Sequence, residues 1–393
     1  MTRTMQPPPG GQPTEAELTL DGGPPDRPRR RGLIALVVGA LAAVLAAAVA
    51  VTALTTPSRT NTKVGQSGPA AEPAPEPTTT TTAAPAAAPA AQSAPVTAPS
   101  CAAASATPPG PRFGAAVAAD ATGLVVFGGR GADFQDVADT WSFGCGHWGT
   151  RGVTAHPPAA LGAAAAFDAA RATTVLLAAD GTTWTWNGVA WSARQPAASP
   201  PKLHQPSAAY DDARGRVVVY GPAQSGGAPQ TWLWDGATWA SAGSATSPSA
   251  SAAGLAFDSA RRQAVLFGGM FSETKASDET WVFDGAKWAR KLPSHAPPPG
   301  PAVSAYDPVR QRVVVLAADG GTWLWDGADW AKQAVAAGPE RRVYSSMAWV
   351  PSMGRVVLFG GKVVRTTAQS TSGDEQVVND LWAWDGGAWS KLG

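Results

Sequence analysis

AVSAYDPVRQRVVVLAADGGTWLWDGADW, residues 302–330, lays out one structural unit from end to end. A small-residue run ends in Tyr306-Asp307, and Pro308 fixes φ at the second position of the turn Asp307-Pro308-Val309-Arg310. Val313, Val314, Val315 and Leu316 make a continuous apolar run of the kind buried on both faces, closed by the tight hairpin Ala317-Ala318-Asp319-Gly320. Trp323 and Trp325 stand two apart, so they share one face of a third strand. Asp326-Gly327 turns the chain again, and Trp330 falls on a fourth strand.

The pattern occurs six times. Its turn acid, or the residue in that place, is Asp120, Asp168, Asp211, Asp258, Asp307 and Val350, giving spacings of 48, 43, 47, 49 and 43 residues. A period in the mid-forties that contains only strand-like segments predicts the blades of a β-propeller. The first strands, at 114–117, 162–166, 207–209, 252–254, 302–304 and 345–347, are rich in Gly, Ala and Ser. Blades converge at the axis, where bulky side chains do not fit, so these strands are expected innermost and the Trp-bearing strands in the wide outer wedge. Every repeat holds its own four strands. Closure is therefore expected to rest on packing of the sixth blade against the first.

Apolar segments ending in a glycine pair, at 125–129, 265–269 and 357–361, are followed by Asp139-Thr140-Trp141, Glu279-Thr280-Trp281 and Asn379-Asp380-Leu381-Trp382. These residues resemble the repeats of bacterial kelch-type propellers, the family that also builds the central domain of galactose oxidase. The resemblance covers residues 112–393 and implies an all-β, six-bladed kelch-like propeller. Ala178-Ala179 and Ala317-Ala318 replace the glycine pair in two blades, and Gly221-Pro222 departs in a third. Galactose oxidase chemistry needs a Tyr cross-linked to a Cys. Cys145 lies in a turn on the face opposite the expected ligand side and Cys101 precedes the propeller, so the resemblance does not bring that activity with it.

Ahead of the repeats, residues 1–31 are Pro- and Gly-rich without apolar periodicity and are expected to be a disordered cytoplasmic tail. Residues 33–54 carry no charge and follow Arg27, Arg29, Arg30 and Arg31. As a helix they would span the roughly 30 Å hydrocarbon core, and the arginines would hold the N-terminus inside. A single-pass signal anchor over 32–55 is the expectation. A cleaved signal ending near Ala48-Val49-Ala50, or twin-arginine export through Arg30-Arg31, are the alternatives. Residues 56–111, dominated by Pro, Ala, Thr and Ser, read as an extended stalk on the extracytoplasmic side. Two cysteines, Cys101 and Cys145, then suggest a disulfide.

The net charge of +1 gives no electrostatic argument for nucleic acid. Sixteen of the 17 tryptophans occupy the three aromatic positions of the repeats, with Phe143 and Phe283 in the other two places; a structural role accounts for them. Long insertions separate second and third strands at 130–138, 270–278 and 362–379. Once the ring closes, those of repeats one and six are neighbours. Arg112, Arg130, Phe134, Arg341, Arg342, Lys362 and Arg365 gather along this seam as the candidate ligand-binding set. No protease, phosphate-loop or zinc motif is present, and neither a cofactor nor a metal site is expected. These features point to a monomeric recognition module for an extracytoplasmic protein or anionic glycan. The alternative is an exported oxidase or glycan-active enzyme of the galactose-oxidase-like type.

Overall fold

The computed structural model describes residues 107–120, 122–243, 246–365 and 374–392, almost all of them strands and turns. Blade one is built from Ala116–Ala119, Leu124–Phe127, Thr140–Gly144 and His147–Arg151, paired antiparallel in that order. Blade five runs Val303–Asp307, Arg312–Leu316, Thr322–Trp325 and Trp330–Lys332. Blades two, three and four repeat the arrangement. Blade six comprises Ser346–Val350, Arg355–Arg365, Asp374–Trp384 and Trp389–Lys391. Each blade thus contains a complete meander, and no strand is exchanged between blades.

Innermost strands contact one another in sequence around the ring, and that of blade six contacts that of blade one. A six-bladed β-propeller results. Its core is divided into clusters, each sandwiched between neighbouring sheets; one joins Val117, Val126 and Phe143 of blade one to Val357, Phe359 and Leu381 of blade six. This cluster closes the ring without strand exchange, as the repeat boundaries predict.

Three repeated devices lock blade to blade. The outermost Trp of one blade donates its indole N–H to a Thr hydroxyl of the blade before it, at 2.8–2.9 Å, in Trp191–Thr140, Trp239–Thr183, Trp288–Thr231, Trp330–Thr280 and Trp389–Thr322. The tyrosine hydroxyls of Tyr210 and Tyr306 accept from the Ala170 and Ala260 amides of the preceding blade's turn. Finally, Arg171, Arg214, Arg261 and Arg310 each grip the buried turn acid three residues earlier. These four arginines also cover the Asp-Gly turn of the next blade. At Gly327 the φ of +102° disfavours any side chain, and a Cβ there would come within 1.9 Å of Arg261 Nε and displace the arginine. Blades one and six lack the arginine.

The insertion in blade six is a protruding hairpin rather than a loop. Its second and third strands extend to 11 residues each, with a register shift between Phe359 and Gly361. The β-branched pairs Val363-Val364 and Val377-Val378 favour this continuation. Short strands Arg112–Phe113 and Arg342–Val343 approach the two seam blades equivalently, the first pairing with Arg130–Gly131 and the second with Lys362–Val363.

Among the described residues, no helix is long and apolar enough to cross a membrane. The expected anchor, tail and most of the stalk lie outside the described residues, as does Cys101.

Candidate functional site

All six innermost strands line an axial cavity of about 270 Å³. Its rim includes the residue six positions before each turn acid or its counterpart: Gly114, Gly162, Gln205, Ala252, Pro301 and Tyr344. In every blade but the fifth this residue has a left-handed φ, including +46° at Gln205 and +56° at Tyr344. A side chain in that conformation costs on the order of 1–2 kcal/mol relative to glycine. Gln205 and Tyr344 nevertheless occupy it. Gln205 Nε2 donates to Tyr344 Oη at 3.2 Å. Blades three and six stand opposite one another in a six-membered ring, so this hydrogen bond crosses the mouth. Being solvent-exposed, it contributes no more than about 0.5–1.5 kcal/mol.

Next to the mouth, the seam of blades six and one carries two matching arginine sites. Arg112 forms a bidentate pair with Asp139 at 2.5 and 2.9 Å and donates to the carbonyls of Gly128 and Gly110. Arg342 repeats the set with Asp380 at 2.6 and 3.2 Å and the carbonyls of Gly360 and Glu340. Trp141 and Trp382 donate to the same carboxylates, each at 2.7 Å. Burial pushes the Asp139 and Asp380 carboxyls up, but the hydrogen bonds from arginine and indole outweigh it and hold both below the ordinary carboxylate range.

Both arginines are only 4% exposed. Their guanidinium donors fix the approach strands to the blades. The remaining predicted cations are also engaged. Arg130 pairs with Asp136 at 2.7 Å, Arg365 with Glu340 at 2.8 Å, and Lys362 with Glu375. Arg341 donates from Nε to the Ala318 carbonyl of blade five at 2.8 Å.

What the seam does present is aromatic. Phe134 is 58% exposed with a φ of +61°. Its ring meets the buried Phe113 edge-on at 6.1 Å, and Phe113 in turn lies 5.9 Å from the Tyr344 ring. The Lys362 ammonium sits over both phenylalanines, 5.3 Å from Phe113 and 5.7 Å from Phe134. A continuous strip therefore runs from Phe134 through Phe113 to Tyr344 and Gln205. Of the predicted set, the structure unites Phe134 with Lys362 and leaves Arg341 towards blade five.

Phe113, Tyr344 and Gln205 escaped the sequence reading. A signal for the last two existed, since a large side chain at the rim position breaks a series of small ones. Cys145 occupies a left-handed turn position, φ +52°, between the outer strands of blade one. Among the described residues, no three His, Cys, Asp or Glu side chains are grouped so as to hold a metal ion. His295, for instance, is paired with Asp329 at 2.8 Å.

No family model matches the chain. No curated protein matches it either. Among solved structures, one described as "Structure of YjhT" is similar at 12% identity, covering 72% of this chain and 98% of that one, with a TM-score of 0.49. The six-bladed propeller itself is established by the hydrogen-bonded sheets of this chain.

Proposed function

We propose that the chain is a kelch-like recognition module, held outside the cytoplasm by a membrane anchor at 33–54, that docks a partner protein on the blade six and one seam. Phe134 carries this reading. A large apolar ring, strained into a left-handed conformation, set edge-on to Phe113 and with the Lys362 ammonium over it, favours contact with a partner over exposure to water. An anionic glycan fits less well, because five of the six seam cations already have carboxylate partners. A pairing of Cys101 with Cys145 belongs to the same exported setting; Cys145 is not a free thiol.

The test is photo-crosslinking on intact cells, with a photoreactive residue placed at position 134 and, as control, at 309. Val309 is 70% exposed and lies on a turn between first and second strands, at the opposite end of its blade. A discrete adduct from 134 alone supports the seam; equal adducts from both positions would dismiss it. Labelling of the propeller's lysines by a membrane-impermeant reagent on the same cells tests the placement. Labelling only after lysis would contradict the exported topology.

A further inference from the structure

The turns between third and fourth strands share one device in blades three to six. In Asp235-Gly236, Asp284-Gly285, Asp326-Gly327 and Asp385-Gly386 the carboxylate Oδ1 accepts from the amides two and three residues on, at 2.8–3.0 Å. Those amides, and with smaller effect the arginine of the preceding blade, hold each carboxyl below the ordinary range. Blade two departs from the series. Between Thr183–Trp186 and Trp191–Arg194 it carries Asn187-Gly188, and blade one, which precedes it, has Gly123 where the arginine would stand. An aspartate at 187 would have the amides without the cation.

Asparagine before glycine has a chemistry of its own. Asn187 Oδ1 accepts from the Val189 and Ala190 amides at 2.9 and 2.8 Å, an arrangement that folds the carboxamide back over the Gly188 peptide. Attack of the Gly188 nitrogen on Asn187 Cγ would place negative charge on Oδ1, where two amide donors already point. Glycine brings no side chain to crowd that attack, and Asn187 is exposed to the water that completes the reaction. The chain's two other asparagines precede Thr62 and Asp380. Asn379 spends its side-chain amide on the Pro109 carbonyl at 2.8 Å and lies within the third strand of blade six.

We propose that Asn187 is a self-modifying site, at which the turn converts the side-chain amide to an acid with water as the only co-reactant. The Gly188 nitrogen bonds to Cγ, the bond from Cγ to the side-chain nitrogen breaks, and that nitrogen leaves as ammonia with the proton given up by Gly188. Water then opens the five-membered imide. Opening at Cγ leaves aspartate at 187; opening at the main-chain carbonyl leaves an isoaspartate linkage. Aspartate keeps Oδ1 and both turn hydrogen bonds, so the blade is retained and blade two acquires the Asp-Gly turn of its four counterparts. Either product removes the formal net charge of +1.

Peptide mapping by mass spectrometry tests the proposal on the full folded chain, incubated in mildly alkaline buffer, in which the glycine nitrogen loses its proton more readily. The peptide carrying Asn187 should progressively gain the mass difference between an amide and an acid, while that carrying Asn379 stays unchanged. On isoelectric focusing the intact protein should move to the position of Asn187→Asp. Gly188→Ala should slow the conversion about tenfold or more by crowding the attacking nitrogen. Since the φ of +95° at Gly188 disfavours alanine, the wild-type chain is also followed in denaturant, which needs no variant to fold. Conversion of the folded chain should be at least as fast as that of the unfolded one. Faster conversion on unfolding would show that the turn protects the asparagine, and the proposal would fall. It would fall equally if Asn187 survived intact, or if Asn379 converted at the same rate.

Discussion

The indole Nε1 of Trp288 in blade four donates to Thr231 Oγ1 of blade three at 2.8 Å, in a bond shielded from solvent. The same bond occurs at every blade junction except the closing one. There Leu381 stands in the threonine's place, and Trp148 packs against Phe359 with ring centroids 5.4 Å apart. Replacing Thr231 with Val should leave a buried indole N–H without an acceptor and cost about 1–3 kcal/mol. Denaturant unfolding at fixed pH checks this; an unchanged midpoint would show that the bond contributes nothing net.

Asp258 is fully buried, and Arg261 supplies its cationic partner at 2.8 Å while covering the next blade's turn. Arg261→Met would strand a buried carboxylate, and a loss of roughly 1–3 kcal/mol is expected, discounted because the arginine is itself a third exposed. Combining it with Asp258→Asn should recover part of the loss. Thermal unfolding of the single and double variants measures the coupling.

Acid sensitivity should be traceable to the seam. Asp139 and Asp380 are held below the ordinary carboxylate range in the folded state, so their stabilising effect is fully present above the unfolded value of about pH 4 and fades as pH falls through the depressed folded values. Asp139→Asn and Asp380→Asn should lower stability at neutral pH and flatten its decline below about pH 4. A wild-type slope in the variants would assign the acid transition to other groups. For the same reason, replacing Arg112 and Arg342 with alanine would report on folding before it reported on ligand capture.

The blades were legible because each repeat carries its own turn acid, apolar run and tryptophans, all local patterns. Relations between blades were less so. The Asp-x-x-Arg spacing reads as turn chemistry, and only the ring shows that Arg261 also covers Gly327 of the next blade. Arg112 and Arg342 were visible as an aligned pair, and Asp139 and Asp380 as another. That the two pairs join depends on the approach strands, which are two residues long and leave no periodic signal. The blade six hairpin reads in the sequence only as a long insertion, because its valines extend strands already long enough to end. Gln205 and Tyr344 lie far apart in sequence, and their meeting across the mouth follows from the number of blades alone.

The most direct check on the account is the affinity of the protein captured through position 134, measured by titration against the wild-type chain and Phe134→Ala. Removal of the ring should weaken binding about tenfold or more, equivalent to about 1.4 kcal/mol, with the unfolding midpoint unchanged. An affinity equal to that of the wild type would contradict the assignment of the seam as the recognition surface.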